Sequence, residues 1–440
     1  MGPPVRNAHV RCKQVFRDAE FGEFTSLDPA RKLPSNHLAR RIKVGLSRID
    51  LTSLRNSYGD KGGIPYDPLP MVGILLLGYG LGITSSRDLE DHCRYDLRFI
   101  HVCGGHCPDY RTIARFRKRL EVHLKDLWKA VHRAAGKRKR RIGIDGTKMA
   151  SAGAPVKVPK NEIEQLGYEL LSSDPEASFH KGRTGLVFGY NAQAVVDLDT
   201  HEVLYTDVVH DKCDRNQLLP MVNGYIEVTG ELPEAVVADT GYDEGGALLA
   251  CEDMGIEVTV PSQSSYDFWS VVDDQVLCPM GHAASVRQTI QQNGRISIAH
   301  SVPESCCRGC TFRAECLGKS RRKTIRAPEG VSIAQRVLGA RRARAPDAKQ
   351  AMIDRKSHVE PFFGRIKWNK KCRRFNLRGL AGARIELALF GLCETIASLG
   401  KAIFAAIWVQ LRSKTPKRRR FFALANIIAI SWRFAAPTMR

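Results

Sequence analysis

Ala235-Val236-Val237-Ala238-Asp239-Thr240-Gly241-Tyr242 is the stretch from which the fold can be read. Four apolar residues in a row, closed by an Asp and a Gly, describe a strand buried on both faces, as in an α/β sheet covered by helices. Such sheets bind ligands at the carboxyl ends of their strands, where Asp239 falls. Arg141-Ile142-Gly143-Ile144-Asp145-Gly146-Thr147 repeats the pattern, so Asp145 and Asp239 can stand side by side. Adjacent carboxylates repel, and a divalent metal is the common remedy. A third acid, Glu360, lies in the basic stretch His358-Val359-Glu360-Pro361-Phe362-Phe363-Gly364-Arg365-Ile366-Lys367. Read as a helix, this places Lys367 roughly on the face of Glu360. Each acid also has a plainer reading: Asp before Gly is ordinary turn chemistry, and Glu360 can pair with Lys356 one turn earlier.

Taken together, Asp145-Gly146-Thr147, Gly189-Tyr190-Asn191-Ala192-Gln193, Asp239-Thr240-Gly241-Tyr242 and Val359-Glu360-Pro361 with Lys367 resemble the DDE transposases of bacterial insertion sequences. Pro65-Tyr66-Asp67-Pro68, Ser85-Ser86-Arg87-Asp88-Leu89-Glu90 and Pro108-Asp109-Tyr110-Arg111-Thr112-Ile113 resemble the helical N-terminal domain of the same transposases, so the likeness runs over roughly residues 33–400. Many relatives carry Tyr and Arg ahead of the catalytic Glu, whereas Ile353 and Lys356 occupy those places here. The resemblance implies catalytic Asp145, Asp239 and Glu360 holding Mg²⁺ or Mn²⁺, with Lys367 steadying a phosphate. It also implies double-stranded DNA as partner, both the element's terminal repeats and the target, and a homodimer or larger assembly, because two ends are joined in one event.

Charge points the same way. Lys and Arg number 68 against 46 Asp and Glu, a formal net charge of +22, which calls for a polyanionic partner. The excess is clustered: residues 365–378 hold seven Lys or Arg and no acid, and the last thirty residues hold eight and no acid. Any one run can be a solvated face, but several together favour nucleic acid. Nothing at the N-terminus resembles a signal peptide, and charges interrupt the apolar stretch Ile385 to Leu411, so it reads as a core helix of a cytoplasmic, nucleoid-associated protein.

The pattern divides the chain into a leader (1–32), an all-α DNA-binding domain (33–132), a first catalytic part (141–268), a Cys-rich insertion (270–325), a last catalytic part with the Glu360 helix (336–410) and a basic tail (411–440). Asp67-Pro68 and Asp109 are helix starts. After Asp109, Arg111, Arg115 and Lys118 share one face while Ile113, Phe116 and Leu120 share another. That helix is either a solvated bundle helix or a helix-turn-helix element gripping DNA, and the resemblance favours the second. In the catalytic part, strands at Phe188–Asp197 and Glu202–Val209, a helix capped by Asp214, the Asp239 strand, a helix near Gly246–Met254 and a strand at Ile256–Val260 follow the first strand. This is the order of an RNase H-like mixed sheet flanked by helices. His180, Lys181, Arg183, Arg355, Arg365, Lys370 and Lys371 are further candidates for DNA backbone contacts.

Thirteen cysteines, an odd number, fit a reducing compartment with thiols or metal better than a disulfide scaffold. Cys278, Cys307, Cys310 and Cys316 have the makings of a structural Zn²⁺ ribbon, with Cys306 able to replace Cys307 and His282 near Cys278. The alternative is a metal-free loop of reduced thiols. Cys103-Gly104-Gly105-His106-Cys107 reads as a glycine turn.

The implied activity is cleavage at the element ends, exposing 3′-hydroxyls, and their joining to target DNA by two-metal phosphodiester chemistry. Two rivals remain: an RNase H-like nuclease or resolvase that cuts without joining, and an inactive transposase-derived DNA-binding protein.

Overall fold

The computed structural model describes residues 32–59, 65–153, 173–182, 185–261, 269–292, 295–318, 320–329, 332–342 and 346–414. The leader up to residue 31, Arg183 and residues 415–440 of the basic tail lie outside the described residues. The chain forms two compact units: a helical one from Met1–Lys137, Ala150–Ala177 and Arg365–Arg440, and a sheet-bearing one from Arg138–Met149 and Ser178–Gly364.

In the helical unit, α1 (Leu38–Leu46), α2 (Thr52–Asn56), α3 (Pro68–Leu81), α4 (Ser86–Tyr95), α5 (Leu97–Cys103), α6 (Tyr110–Arg119) and α7 (Leu124–Ala135) precede a long C-terminal helix, Gly379–Lys414. Asp67 caps α3 by accepting from the Leu69 amide at 2.7 Å, with Pro68 in the first turn, and Gly82 ends it in the left-handed conformation. Because α3 is apolar all round it is buried all round, from Pro70 to Tyr79. The C-terminal helix is long and apolar enough to cross a membrane by length and composition. Its Ile385, Leu387, Leu389, Leu392 and Ile396 are nevertheless buried, and it packs on α1, α3 and α7 as a core helix. Glu386 is buried among these apolar residues, and burial raises its pKa. It accepts from Tyr79 Oη at 2.7 Å and from the Asn376 amide at 2.6 Å, while Arg117 donates to Tyr79 Oη at 3.2 Å. Gly104 and Gly105 both have positive φ, in keeping with a turn after α5. Among the described residues, eleven cysteines are free thiols.

The sheet unit is built on β1 (Arg141–Ala150), β2 (Ser178–Gly182), β3 (Gly185–Asp197), β4 (Val203–Val209), β5 (Ala235–Ala238) and β6 (Glu257–Thr259). Strands run β2-β3-β1-β5-β6, with β4 also paired to β3. The β2/β3 and β3/β4 pairs are antiparallel, whereas β1/β5 and β5/β6 are parallel. Helices α8 (Leu218–Thr229) and α9 (Gly245–Asp253) alternate with the parallel strands. Strand β2 was not foreseen, since Ser178-Phe179-His180-Lys181-Gly182 carries no apolar alternation. Its pairing buries His180, whose Nε2 hydrogen-bonds Gly189 O at 3.0 Å, so His180 is not a surface group for phosphate. Asp214 does not cap α8 as expected: Gln217 is the first flanking residue and no side chain caps this helix.

Beyond β6, β7 (Ser270–Val272) pairs with β8 (Gln275–Leu277), and β9 (Ser285–Gln292), β10 (Arg295–Ser301) and β11 (Thr324–Pro328) form a three-stranded sheet. Two short helices, α10 (Glu304–Arg308) and α11 (Arg313–Leu317), carry cysteines between β10 and β11. Trp269, Val276, Val302, Ile325 and Ala327 of this segment form a core with Ile333, Ala334 and Val337 of α12 (Ile333–Arg342). The unit ends with α13 (Pro346–Gly364), and the chain then makes a π-helical turn, Arg365–Asn369.

Candidate active site

Strand pairing brings the two aspartates together. The parallel register of β1 and β5 opposes Ile142 to Val236, Gly143 to Val237 and Ile144 to Ala238, so the next pair is Asp145 beside Asp239. Asp145 is largely buried, and burial, reinforced by repulsion from Asp239, pushes its pKa up to about 6 in spite of a neighbouring guanidinium. Its Oδ1 accepts from the Gly146 amide at 2.8 Å, and its Oδ2 lies 2.9 Å from Arg355 Nη1. Asp239 Oδ1 accepts from the Gly241 amide at 2.7 Å, which turns the chain at the strand end. A cation placed between the pair would meet two acid groups whose mutual repulsion is already expressed, the donor chemistry a hard divalent ion takes.

A polar network ties Gly146 of β1 and the Asp239 turn to β3. Asn191 and Gln193 project from one face of that strand and donate to Asp214 Oδ1 at 2.7 and 2.8 Å, and Lys148 Nζ lies 3.2 Å from the same oxygen. The Tyr242 hydroxyl donates to Gln193 Oε1, so the residue that closes the Asp239 turn is anchored to β3. Burial first, and then the charges of Asp214, Asp145 and Asp239, hold the Tyr242 phenol well above its ordinary pKa of 10.0, which keeps it a donor. Glycine at 146 is required by this packing: a Cβ there would run into Gln193 Nε2 and stand 3.0 Å from Asp214 Oδ1. The alternation of Asn191 and Gln193 was visible in sequence, but their convergence on Asp214 was not.

Helix α13 packs on β3, β5 and β6 and approaches β1 at Gly143. A Cβ on Gly143 would lie 2.8 Å from Val359 Cγ2 and 3.3 Å from Arg355 Cγ, so the glycine admits the helix to the strand two residues before Asp145. Glu360 follows the buried Val359 on this helix and is exposed. Among the described residues, no three of the His, Cys, Asp and Glu side chains stand together at metal-ligand spacing. Asp145 and Asp239 thus lie within electrostatic reach of one another, while among the described residues the Glu360 carboxylate is not gathered into a set of three. Helix α13 stops at Gly364, and Lys367, half-buried, sits in the π-helical turn. The seven-residue spacing from Glu360 thus does not run along one continuous α-helix.

The basic candidates separate by environment. On α6, Arg111, Arg115 and Lys118 are exposed opposite the buried Ile113 and Phe116, and Asp109 caps the helix by accepting from the Arg111 and Thr112 amides. Lys181 and Lys371 are exposed as well. Arg365 and Lys370 turn onto Glu394, at 2.6 and 3.4 Å. Arg355 is buried and faces Asp145.

Cys278, Cys306, Cys307, Cys310 and Cys316 line one small cavity with His282 and Trp269. Burial raises the Cys307 thiol, and Cys278, Cys310, Cys316 and Cys306 all add to the rise, which puts the expected ligands within electrostatic reach of one another. They do not form a three-ligand cluster at bonding distance.

Comparison with known proteins gives two family matches: a transposase domain (DUF772) over residues 27–119 and a transposase DDE domain over residues 277–397. The two matches support a DDE-type transposase. The first match contains α6 with its basic face; the second contains the cysteines and Glu360 but neither aspartate. No curated protein matches. Among solved structures, a piggyBac transposase synaptic complex with hairpin DNA is similar at TM-score 0.34 and 11% identity, over 93% of this chain and 84% of that one, too weak a likeness to define a fold or a partner.

Proposed function

We propose that this transposase binds the ends of its own insertion sequence, cleaves the DNA there and joins the exposed 3′-hydroxyls to target DNA. The observation that carries this reading is the parallel register of β1 and β5, whose last pair, Ile144 with Ala238, immediately precedes Asp145 within β1 and Asp239 just past the end of β5. The order β4-β3-β1-β5-β6, antiparallel on one side and parallel on the other, supports an RNase H-like sheet. Asp145 and Asp239 would hold Mg²⁺ or Mn²⁺, with Glu360 completing the set from α13. When bound, such ions supply the charge that makes a water or 3′-hydroxyl nucleophilic and steadies the departing oxygen. The amides of Gly146 and Gly241 orient the two carboxylates, and the Asp214–Gln193–Tyr242 network anchors the Asp239 turn to β3. Arg111, Arg115 and Lys118 contact the DNA backbone, with Lys181, Arg183, Lys367 and Lys371 as further phosphate contacts; such contacts set affinity and its salt dependence. Cys278, Cys307, Cys310 and Cys316 hold a structural Zn²⁺. The protein works in the bacterial cytoplasm as a dimer or larger assembly on DNA.

The exposed place of Glu360, outside a three-carboxylate set, favours one other reading, a transposase-derived protein that binds DNA without cutting it. Purified protein incubated with Mg²⁺ and the DNA flanking its gene, beside Asp239→Asn, separates the two. Cleavage and joining lost in the variant are expected. Cleavage without joining would point to a nuclease, and binding alone, unchanged by the substitution, to the inactive protein.

A further inference from the structure

Asp145 already has a cation. Arg355 reaches it from α13 across Gly143, where the missing Cβ leaves room for the Arg355 stem. The side chain is buried, and its Nε and Nη1 have no hydrogen-bond partner within bonding geometry. The guanidinium is held at Asp145 Oδ2 as an ion pair, with the separation at 2.9 Å. The other oxygen, Oδ1, is engaged by the Gly146 amide. A buried arginine whose counter-ion is a carboxylate on an inner strand of the sheet is an expensive arrangement, and paired buried charges seldom add net stability. It makes physical sense where the charge is exchanged for another.

We propose that Arg355 is the resident counter-ion of Asp145 and that a divalent cation must displace it to occupy the site. The inference rests on the reading of Asp145 as a metal ligand. Guanidinium and metal compete for one carboxylate oxygen, so Arg355 weakens metal binding in the free protein and keeps the aspartate pair partly neutralised until the metal arrives. Arg355 is then a positioning residue, acting through Asp145. An opposite charge at this distance interacts far more strongly in a partly buried site than in water, so its removal is expected to change metal affinity on the order of tenfold or more.

The test is Mn²⁺ binding to the full chain at fixed pH without DNA, followed by the electron paramagnetic resonance of free Mn²⁺. Arg355→Gln should bind Mn²⁺ about tenfold more tightly than the unsubstituted protein, and Arg355→Lys, which keeps the charge, should stay close to it. Unchanged or weaker binding by a folded Arg355→Gln overturns the proposal. Asp145→Asn tests the underlying reading separately: if it binds Mn²⁺ as well as the unsubstituted protein does, Asp145 is not a ligand and both statements fall. Should Arg355→Gln not fold, the unsubstituted protein still decides. Its Arg355 guanidinium ¹⁵N signal, assigned with Arg355→Lys, should move with Mg²⁺ in step with saturation, and a signal that stays fixed while metal binds refutes displacement.

Discussion

Asp145→Asn is expected to stabilise the metal-free protein at neutral pH and to leave it unchanged in mild acid. In the folded chain the Asp145 pKa is raised from 3.8 to about 6, because burial and Asp239 disfavour the ionised form by more than Arg355 favours it. A carboxyl with a raised folded pKa contributes stability that is complete below its unfolded value and is lost as pH rises through the folded one. Holding Asp145 ionised above pH 6 therefore costs about 3 kcal/mol, and its side chain is shielded enough that solvent screening takes little of this away. Asparagine stands in for the protonated acid at every pH. The loss of the Arg355 partnership is already contained in the comparison, since the protonated acid does not pair with Arg355 either.

The variant should match the unsubstituted protein near pH 4 and exceed it by about 3 kcal/mol at pH 7.5 and above. For a unit of this size that is roughly 6–12 °C in the melting temperature. Calorimetry from about pH 4 to pH 8 with a chelator present measures it, and the proposed cleavage should be lost in the same variant. A gap that does not widen with pH, or a variant less stable at neutral pH, would refute the reasoning.

Other consequences are open to simple measurements. Glu386→Leu removes the acceptor for Tyr79 and for the Asn376 amide inside the helical unit, and should cost about 3–5 kcal/mol by denaturant titration, against a smaller loss for Glu386→Gln. Gly146→Ala drives a Cβ into Gln193 and should destabilise the sheet unit by about 1–3 kcal/mol while lowering cleavage more than an Ala at an exposed site without a proposed role, such as Leu232. If Cys278, Cys307, Cys310 and Cys316 hold zinc, elemental analysis should find about one Zn²⁺ per chain. A chelator should then shift the fluorescence of Trp269, which borders the cysteine cavity, and Cys310→Ser should abolish that shift; absence of zinc from protein purified without chelator would oppose the assignment.

The sequence made legible those features whose signal is local. Val236 and Val237 sit in the sheet because four consecutive apolar residues have no other stable place, and Asp67 and Asp109 cap helices because their carboxylates meet free amides two residues on. The pairing of Asp145 with Asp239 followed once both strands were seen. Features that depend on distant chain were not legible. Strand β2 exists because it pairs with β3, not because of its own pattern. Asp214 looked like a cap because Gln217 stands three residues after it, whereas its carboxylate is claimed by Lys148, Asn191 and Gln193 from two strands. Arg355 looked like one more surface cation on a basic helix, and only the packing of α13 against Gly143 turns it inward.

The cysteine-bearing segment is joined to the aspartate turn by more than chain connectivity. Helix α12 contributes Ile333, Ala334 and Val337 to the core shared with Trp269 and Ile325, so its position depends on the fold of that segment. From the same helix Arg336 clamps Asp243 with both guanidinium nitrogens, Nη2 at 2.7 Å, in a largely buried pair. Asp243 follows Tyr242, whose hydroxyl is fixed on Gln193, so the Asp239 turn is gripped at its far end from two directions: β3 on one side and α12 on the other. Whatever orders the cysteine cavity therefore stiffens the turn that presents Asp239. A break there releases Arg336, leaves Asp243 unpaired in a buried place and loosens the spacing between the two aspartates without touching either of them.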